Sequence, residues 1–98
     1  MTFVQLIDYR TTRPEAVDEL LTKWIADSGG QRTAVRTRVG RDRHDPHHFV
    51  EILEFRSHDD ALRNSELPAT NRVHERFVEL CSEPPRFVDL DIFREEQL

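Results

Sequence analysis

The stretch that decides the fold is His48–Arg56, HFVEILEFR. Apolar residues occupy both of its alternation classes: Phe49, Leu53 and Phe55 in one, Val50 and Ile52 in the other. A strand buried on one face would alternate cleanly between apolar and polar, so this one reads as central and covered on both sides. Glu51 falls in the Phe49 class and must either reach the rim of the sheet or pair with an arginine of a neighbouring strand. Phe3–Arg10, FVQLIDYR, has the same double character, with Phe3, Ile7 and Tyr9 set against Val4 and Leu6.

Working outward from His48, Asp42-Arg43-His44-Asp45-Pro46-His47-His48 is a turn punctuated at Asp45-Pro46. Imidazole and carboxylate both bind zinc, but the His44/His47/His48 spacing matches no recognised zinc motif and a polar hairpin loop accounts for it. No metal is expected. Before the turn, Arg32–Arg41 alternates Thr33, Val35, Thr37 and Val39 against Arg36 and Arg38, the pattern of a half-exposed edge strand whose charges discourage aggregation. A rim of arginines that attracts an anionic ligand is the other reading of this run.

A helix precedes it. Thr12 and Glu15 have capping-box spacing, Pro14 suits a first turn, and Val17, Leu20, Leu21, Trp24 and Ile25 recur as a buried stripe ended by Gly29-Gly30. Trp24 is either core or a pocket wall with its indole N–H aimed at a ligand. After His48–Arg56, Ser57 with Asp60 opens a short helix, Pro68 interrupts it, and Val73, Phe77, Leu80 and Cys81 stripe a second helical piece that Glu83-Pro84-Pro85 stops. Arg86–Arg94 is the last strand, with Val88, Leu90 and Ile92 opposite Asp89 and Asp91, and Phe87 and Phe93 bracketing the aspartates.

The order β-α-β-β-α-β over residues 1–98 is that of a single ferredoxin-like α+β domain: a four-stranded antiparallel sheet with its helices on one face. One helical layer covers one face of the sheet. The second apolar face would be a large exposed patch, which soluble proteins rarely carry, so the strand pattern predicts a homodimer through the sheet. A net charge of −5, with Lys23 the only lysine, argues against general nucleic-acid binding. Cys81 is the only cysteine, which excludes an intrachain disulfide. The amino terminus reads as a strand and no apolar run suffices to span a bilayer, so no membrane association and a cytoplasmic location are expected.

Asn64–Phe77, NSELPATNRVHERF, joins the third strand to the last helix and offers two polar side chains, Asn64 and His74, to any pocket between sheet and helices. The element order, the passage FRSHDDALRNSELP (55–68) and the ending EPPRFVDLDIF (83–93) resemble the dimeric α/β-barrel superfamily, and within it the antibiotic biosynthesis monooxygenases. That resemblance implies a homodimer with a pocket in each subunit and the oxidation of an aromatic, polyketide-type molecule, often without metal or flavin. A related haem-degrading branch uses a first-strand asparagine with a tryptophan and a histidine of the second helical segment. Here the histidine is met by His74, while Asn64 stands for the tryptophan and Ile7 for the asparagine, so no cofactor is expected.

The expected pocket is lined by Gln5, Ile7, Tyr9, Trp24, Glu51, Phe55, Asn64 and His74 and receives a small hydrophobic or aromatic ligand. For an oxygenase, His74 is the candidate catalytic base that takes a phenol or enol proton, and Asn64 or Trp24 would hold the resulting oxyanion. Substrate contacts are assigned to Asn64, Trp24, Tyr9, Gln5 and Phe55. A non-catalytic ligand-binding domain, or an isomerase or cyclase using His74 as a proton shuttle, fits the same residues, because function lives in the site and not in the fold.

Overall fold

The computed structural model describes residues 1–98 as β1 (Phe3–Arg10), α1 (Pro14–Asp27), β2 (Ala34–Arg41), β3 (His48–Phe55), α2 (His58–Ser65), α3 (Pro68–Leu80) and β4 (Arg86–Asp91). The strands form one antiparallel sheet in the order β2-β3-β1-β4, so the two doubly apolar strands are the central pair. Both edges are the charged strands. No helix is long and apolar enough to cross a membrane.

The register sorts the two faces. Phe3, Gln5, Ile7 and Tyr9 of β1 stand opposite Phe55, Leu53, Glu51 and Phe49 of β3, and this is the face the helices cover. Two clusters fill the layer between them. Ile7, Tyr9 and Phe49 meet Val17, Phe77 and Leu80 at one end, and Phe3, Leu53 and Phe55 meet Trp24 at the other. Tyr9 stacks on Phe49 with centroids 5.6 Å apart and meets the edge of Phe77 at 4.9 Å, geometries that aromatic quadrupoles favour. The opposite face carries Val4, which is buried, and Leu6, Val50, Ile52, Val88 and Leu90, which are half-buried or exposed and belong to neither core cluster.

Several local expectations are corrected. The capping box of Thr12 and Glu15 does not form: α1 starts at Pro14 with Arg13 as a cap that makes no side-chain bond. The residue that matters is one position earlier. Thr11 is fully buried, and its hydroxyl donates to the Leu80 carbonyl (2.8 Å) while accepting from the Arg13 amide (3.0 Å). One side chain thus serves the start of α1 and the end of α3. Replacing Thr11 by valine keeps the volume and strands a buried carbonyl and an amide, so urea unfolding should show a loss of about 2 kcal/mol. An unchanged midpoint would remove Thr11 from this role.

Ile25 is exposed, because α1 turns only its Val17–Trp24 line inward. The helix ends on Ser28, whose hydroxyl donates to the Trp24 carbonyl at 2.6 Å, before Gly30 takes its positive φ of 83°. Arg32 belongs to this helix end and not to the edge strand. It donates to the Ile25 carbonyl (2.8 Å) and lies over the Trp24 ring. β2 therefore begins at Ala34, and a bulge between Ala34 and Arg36 takes Val35 out of the alternation. Pro68 is the first residue of α3, where its missing N–H costs nothing, and so it starts a helix instead of breaking one. That helix stops at Leu80, ahead of Glu83-Pro84-Pro85, with Cys81 extended as its cap. β4 ends at Asp91, three residues early, which leaves Phe93 exposed beyond the sheet.

Within the histidine-rich loop, His48 is the first residue of β3. Its ring nitrogens are held by Asp42 (2.9 Å) and Asp8 (2.8 Å), and these carboxylate bonds keep the imidazolium favoured above its usual range. Arg10 pairs with Asp45 beside it. The charges of this loop brace the hairpin end of the sheet.

Candidate functional site

A cavity of about 510 Å³ opens between the helix-covered face of the sheet and the three helices, a size that suits a small organic ligand. Its floor is a row across all four strands, Val39, Glu51, Ile7 and Phe87, flanked by Phe49 and Tyr9 on one side and by Leu53 and Gln5 on the other. α1 contributes Val17, Leu21 and Trp24, α2 contributes Ala61 and Asn64, and α3 contributes Thr70, Val73, His74 and Phe77. All of the residues expected to line a pocket line this one. Tyr9, Trp24 and Phe55 form its walls and leave the interior empty.

Their chemistry differs from one to the next. Trp24 is buried core as well as cavity wall, and its indole N–H donates to the Thr70 hydroxyl at 3.0 Å and not to the cavity. Gln5 uses its amide nitrogen on Asp89, also at 3.0 Å. Phe55 is packed against Phe3 and is pure wall. Tyr9 makes no side-chain hydrogen bond within the chain. Burial, and secondarily the nearby Glu51 charge, push its hydroxyl up to about 12, so it is a neutral donor at physiological pH.

Asn64 stands apart. It is 3% exposed and its Oδ1 has no hydrogen-bond partner. A buried amide oxygen left unpaired costs about 1–3 kcal/mol, and such groups are rare enough in folded proteins to need a reason. The residue reaches the cavity because Ser57 fixes where α2 begins: its hydroxyl accepts from the Asp60 amide at 3.1 Å, and Asn64 follows on the inward side of the last turn. His74 is placed differently. It is exposed, at the cavity mouth, with its ring 5.8 Å from Phe87, and it makes no hydrogen bond. Asn64 and His74 therefore line the same cavity at different depths.

One interior group carries more than its sequence reading implied. Glu51 does not pair with an arginine, since Arg36 is engaged by Glu54 on the other face at 3.0 Å. Its single partner is the Thr37 hydroxyl of the edge strand. Burial raises its carboxyl above the usual carboxylate range, against the lowering effect of that hydrogen bond. The signal was present in HFVEILEFR, where one carboxylate interrupts the apolar class of a central strand. Thr37 and Arg41 share the face of Val39 by simple alternation, opposite Leu53 and Phe49.

No protein-family model and no curated protein sequence matches the chain. Solved structures do. SnoaB, a cofactor-independent oxygenase from Streptomyces nogalater, solved as an asparagine-to-alanine variant, superposes with a TM-score of 0.82 over 96% of this chain and 95% of its own, at 15% identity. An antibiotic biosynthesis monooxygenase covers 96% of this chain and 100% of its own, with a TM-score of 0.75 and 17% identity. The fold is that of the antibiotic biosynthesis monooxygenases. Rv0793 from Mycobacterium tuberculosis shares it too, at a TM-score of 0.81 and 13% identity over 99% of this chain and 100% of that one. At these identities the likeness to the monooxygenase structures is one of fold, and the chemistry must be argued from the cavity.

Proposed function

We propose that the chain is a small monooxygenase-like protein that binds a hydroxylated aromatic molecule in this cavity and oxidises it with dioxygen, using no bound cofactor. The observation that carries the reading is Asn64, a buried side-chain amide with its Oδ1 unpaired, in an aromatic-lined cavity that also holds Glu51. A flat aromatic ligand fits between the sheet floor and the wall of Trp24 and Phe77. Loss of an acidic proton from such a ligand leaves an oxyanion that the amide N–H of Asn64 can hold, and a donor placed before the charge develops stabilises it most. The electron-rich anion then reduces dioxygen. One oxygen atom remains on the ring as a carbonyl where two hydrogens were lost, and the other leaves as water. His74 at the mouth is the candidate base that passes protons to solvent.

The fold of SnoaB, described as a cofactor-independent oxygenase, supports this reading. So does the uncovered apolar face of the sheet, which a second copy of the chain would cover to give a homodimer with one cavity in each subunit. Binding without turnover is the competing reading. It is favoured by the pairing of Trp24 with Thr70 and of Gln5 with Asp89, which leaves few free polar groups inside.

Oxygen consumption against a panel of anthrones and phenols separates the two. Uptake by the wild type with one of them, reduced about tenfold or more in His74→Ala, is the expected result. No uptake with any of them sinks the oxygenase reading for these substrates, and equal uptake in both proteins acquits His74.

A further inference from the structure

We infer that Glu51 is the proton acceptor inside the cavity, taking the acidic proton of a bound enolisable ligand, for which anthrone serves as the probe. The inference rests on the oxidative reading of the cavity and names its base.

Three observations carry it. First, Glu51 is the only carboxylate on the pocket face of the two central strands, set in the floor row between Val39 and Ile7. Second, it is unneutralised. It takes part in none of the ion pairs, although Arg36 and Arg41 lie on the adjacent strand. Third, it is half used. Thr37 donates to Oε2, and Oε1 has no partner in the chain. A carboxylate kept from cations in an apolar floor is a stronger base than one in water, because desolvation disfavours its charge. His74, by contrast, is exposed at the mouth, where solvent competes for any proton it moves.

The step balances without an oxidant. The C–H bond of the methylene between two aromatic rings breaks. Its proton forms an O–H bond on Oε1, and the electron pair delocalises to the ketone oxygen as an enolate. The neutral carboxyl that results no longer repels the anion beside it, and the amide of Asn64 is the donor for the enolate oxygen.

Without oxygen this step can be watched alone, as deuterium exchange into the methylene of anthrone in D2O by NMR. Binding is measured separately through quenching of Trp24, the only tryptophan. The wild type should accelerate exchange, with a rate that rises as pH passes through the Glu51 pKa, since only the carboxylate accepts a proton. Glu51→Gln should lose about a hundredfold or more of that acceleration while still binding. Thr37→Val removes a hydrogen bond that favours the ionised form, so it should move the inflection to higher pH, an effect a merely structural glutamate would not give.

Exchange in Glu51→Gln at the wild-type rate, with binding intact, overturns the assignment and leaves the cavity reading standing. So does an unmoved inflection in Thr37→Val, which covers the case of a Gln variant that fails to fold. If the wild type does not bind anthrone at all, the reading of the cavity as an aromatic site falls, and the base with it.

Discussion

Asn64→Leu is expected to raise the stability of the protein and to lower the oxygen uptake proposed for it. The two side chains are close in volume, and the wild-type amide is buried with its oxygen unpaired. Removing that oxygen relieves a desolvation cost of about 1–3 kcal/mol, and for a domain of this size each kcal/mol moves Tm by about 4–8 °C. Leucine also favours the helical backbone more than asparagine does, and position 64 lies inside α2. Turnover should fall by about 10²–10³, the usual consequence of deleting one oxyanion donor. The pairing of the two outcomes is the informative part. A protein tolerates a destabilising orphan where function needs it, whereas an asparagine kept for structure would cost stability when replaced. Thermal unfolding and oxygen uptake on the same preparation decide it. A drop in Tm would show that the amide has a structural partner and would undo the reading that rests on it.

The central strands were legible because they are apolar in both alternation classes, a pattern that a strand wetted on one face does not produce. Phe3–Arg10 lies where the pattern puts it, residue for residue, and the strand expected over His48–Arg56 ends one residue earlier, at Phe55. The helix boundaries were legible where a single hydroxyl decides them, as at Ser57, and misread where two candidates compete. Thr11 and Thr12 are adjacent, and only tertiary contact with Leu80 selects the first. The edge strands were the hardest. A bulge shifts the register of β2 without a glycine or proline to mark it, and β4 ends as soon as pairing with β1 ends at Phe3. Along the cavity wall, residue identities were predictable from which face each strand position occupies. Which of those side chains would remain unpaired was not, since that depends on Thr70 reaching Trp24 and Asp89 reaching Gln5 across the fold.

The same face-sorting makes Leu6 the residue on which the proposed homodimer turns. It sits at the centre of the uncovered face, opposite Ile52 on one neighbour and Val88 on the other, with Val4, Val50 and Leu90 around it. The charges ring this patch instead of crossing it. Arg36 is paired with Glu54 and Asp8 with His48, while Arg38 opposite Ile52 and Arg86 opposite Asp8 make no ion pair and would turn outward as a second sheet packs there. In Leu6→Glu two like charges would be brought towards the two-fold axis and stripped of water. We expect a loss of dimer affinity of about a thousandfold or more, or about 4 kcal/mol, and a monomer by light scattering at concentrations where the wild type is a dimer. The fold should survive, because Leu6 is already only half-buried in the single chain and the helix-covered core on the other face is untouched. A wild-type protein that is monomeric at micromolar concentration refutes the assembly outright. If it is dimeric and Leu6→Glu separates it, Trp24 quenching in the monomer shows whether one subunit holds its ligand alone. The cavity is built entirely from one chain's residues, so binding should persist.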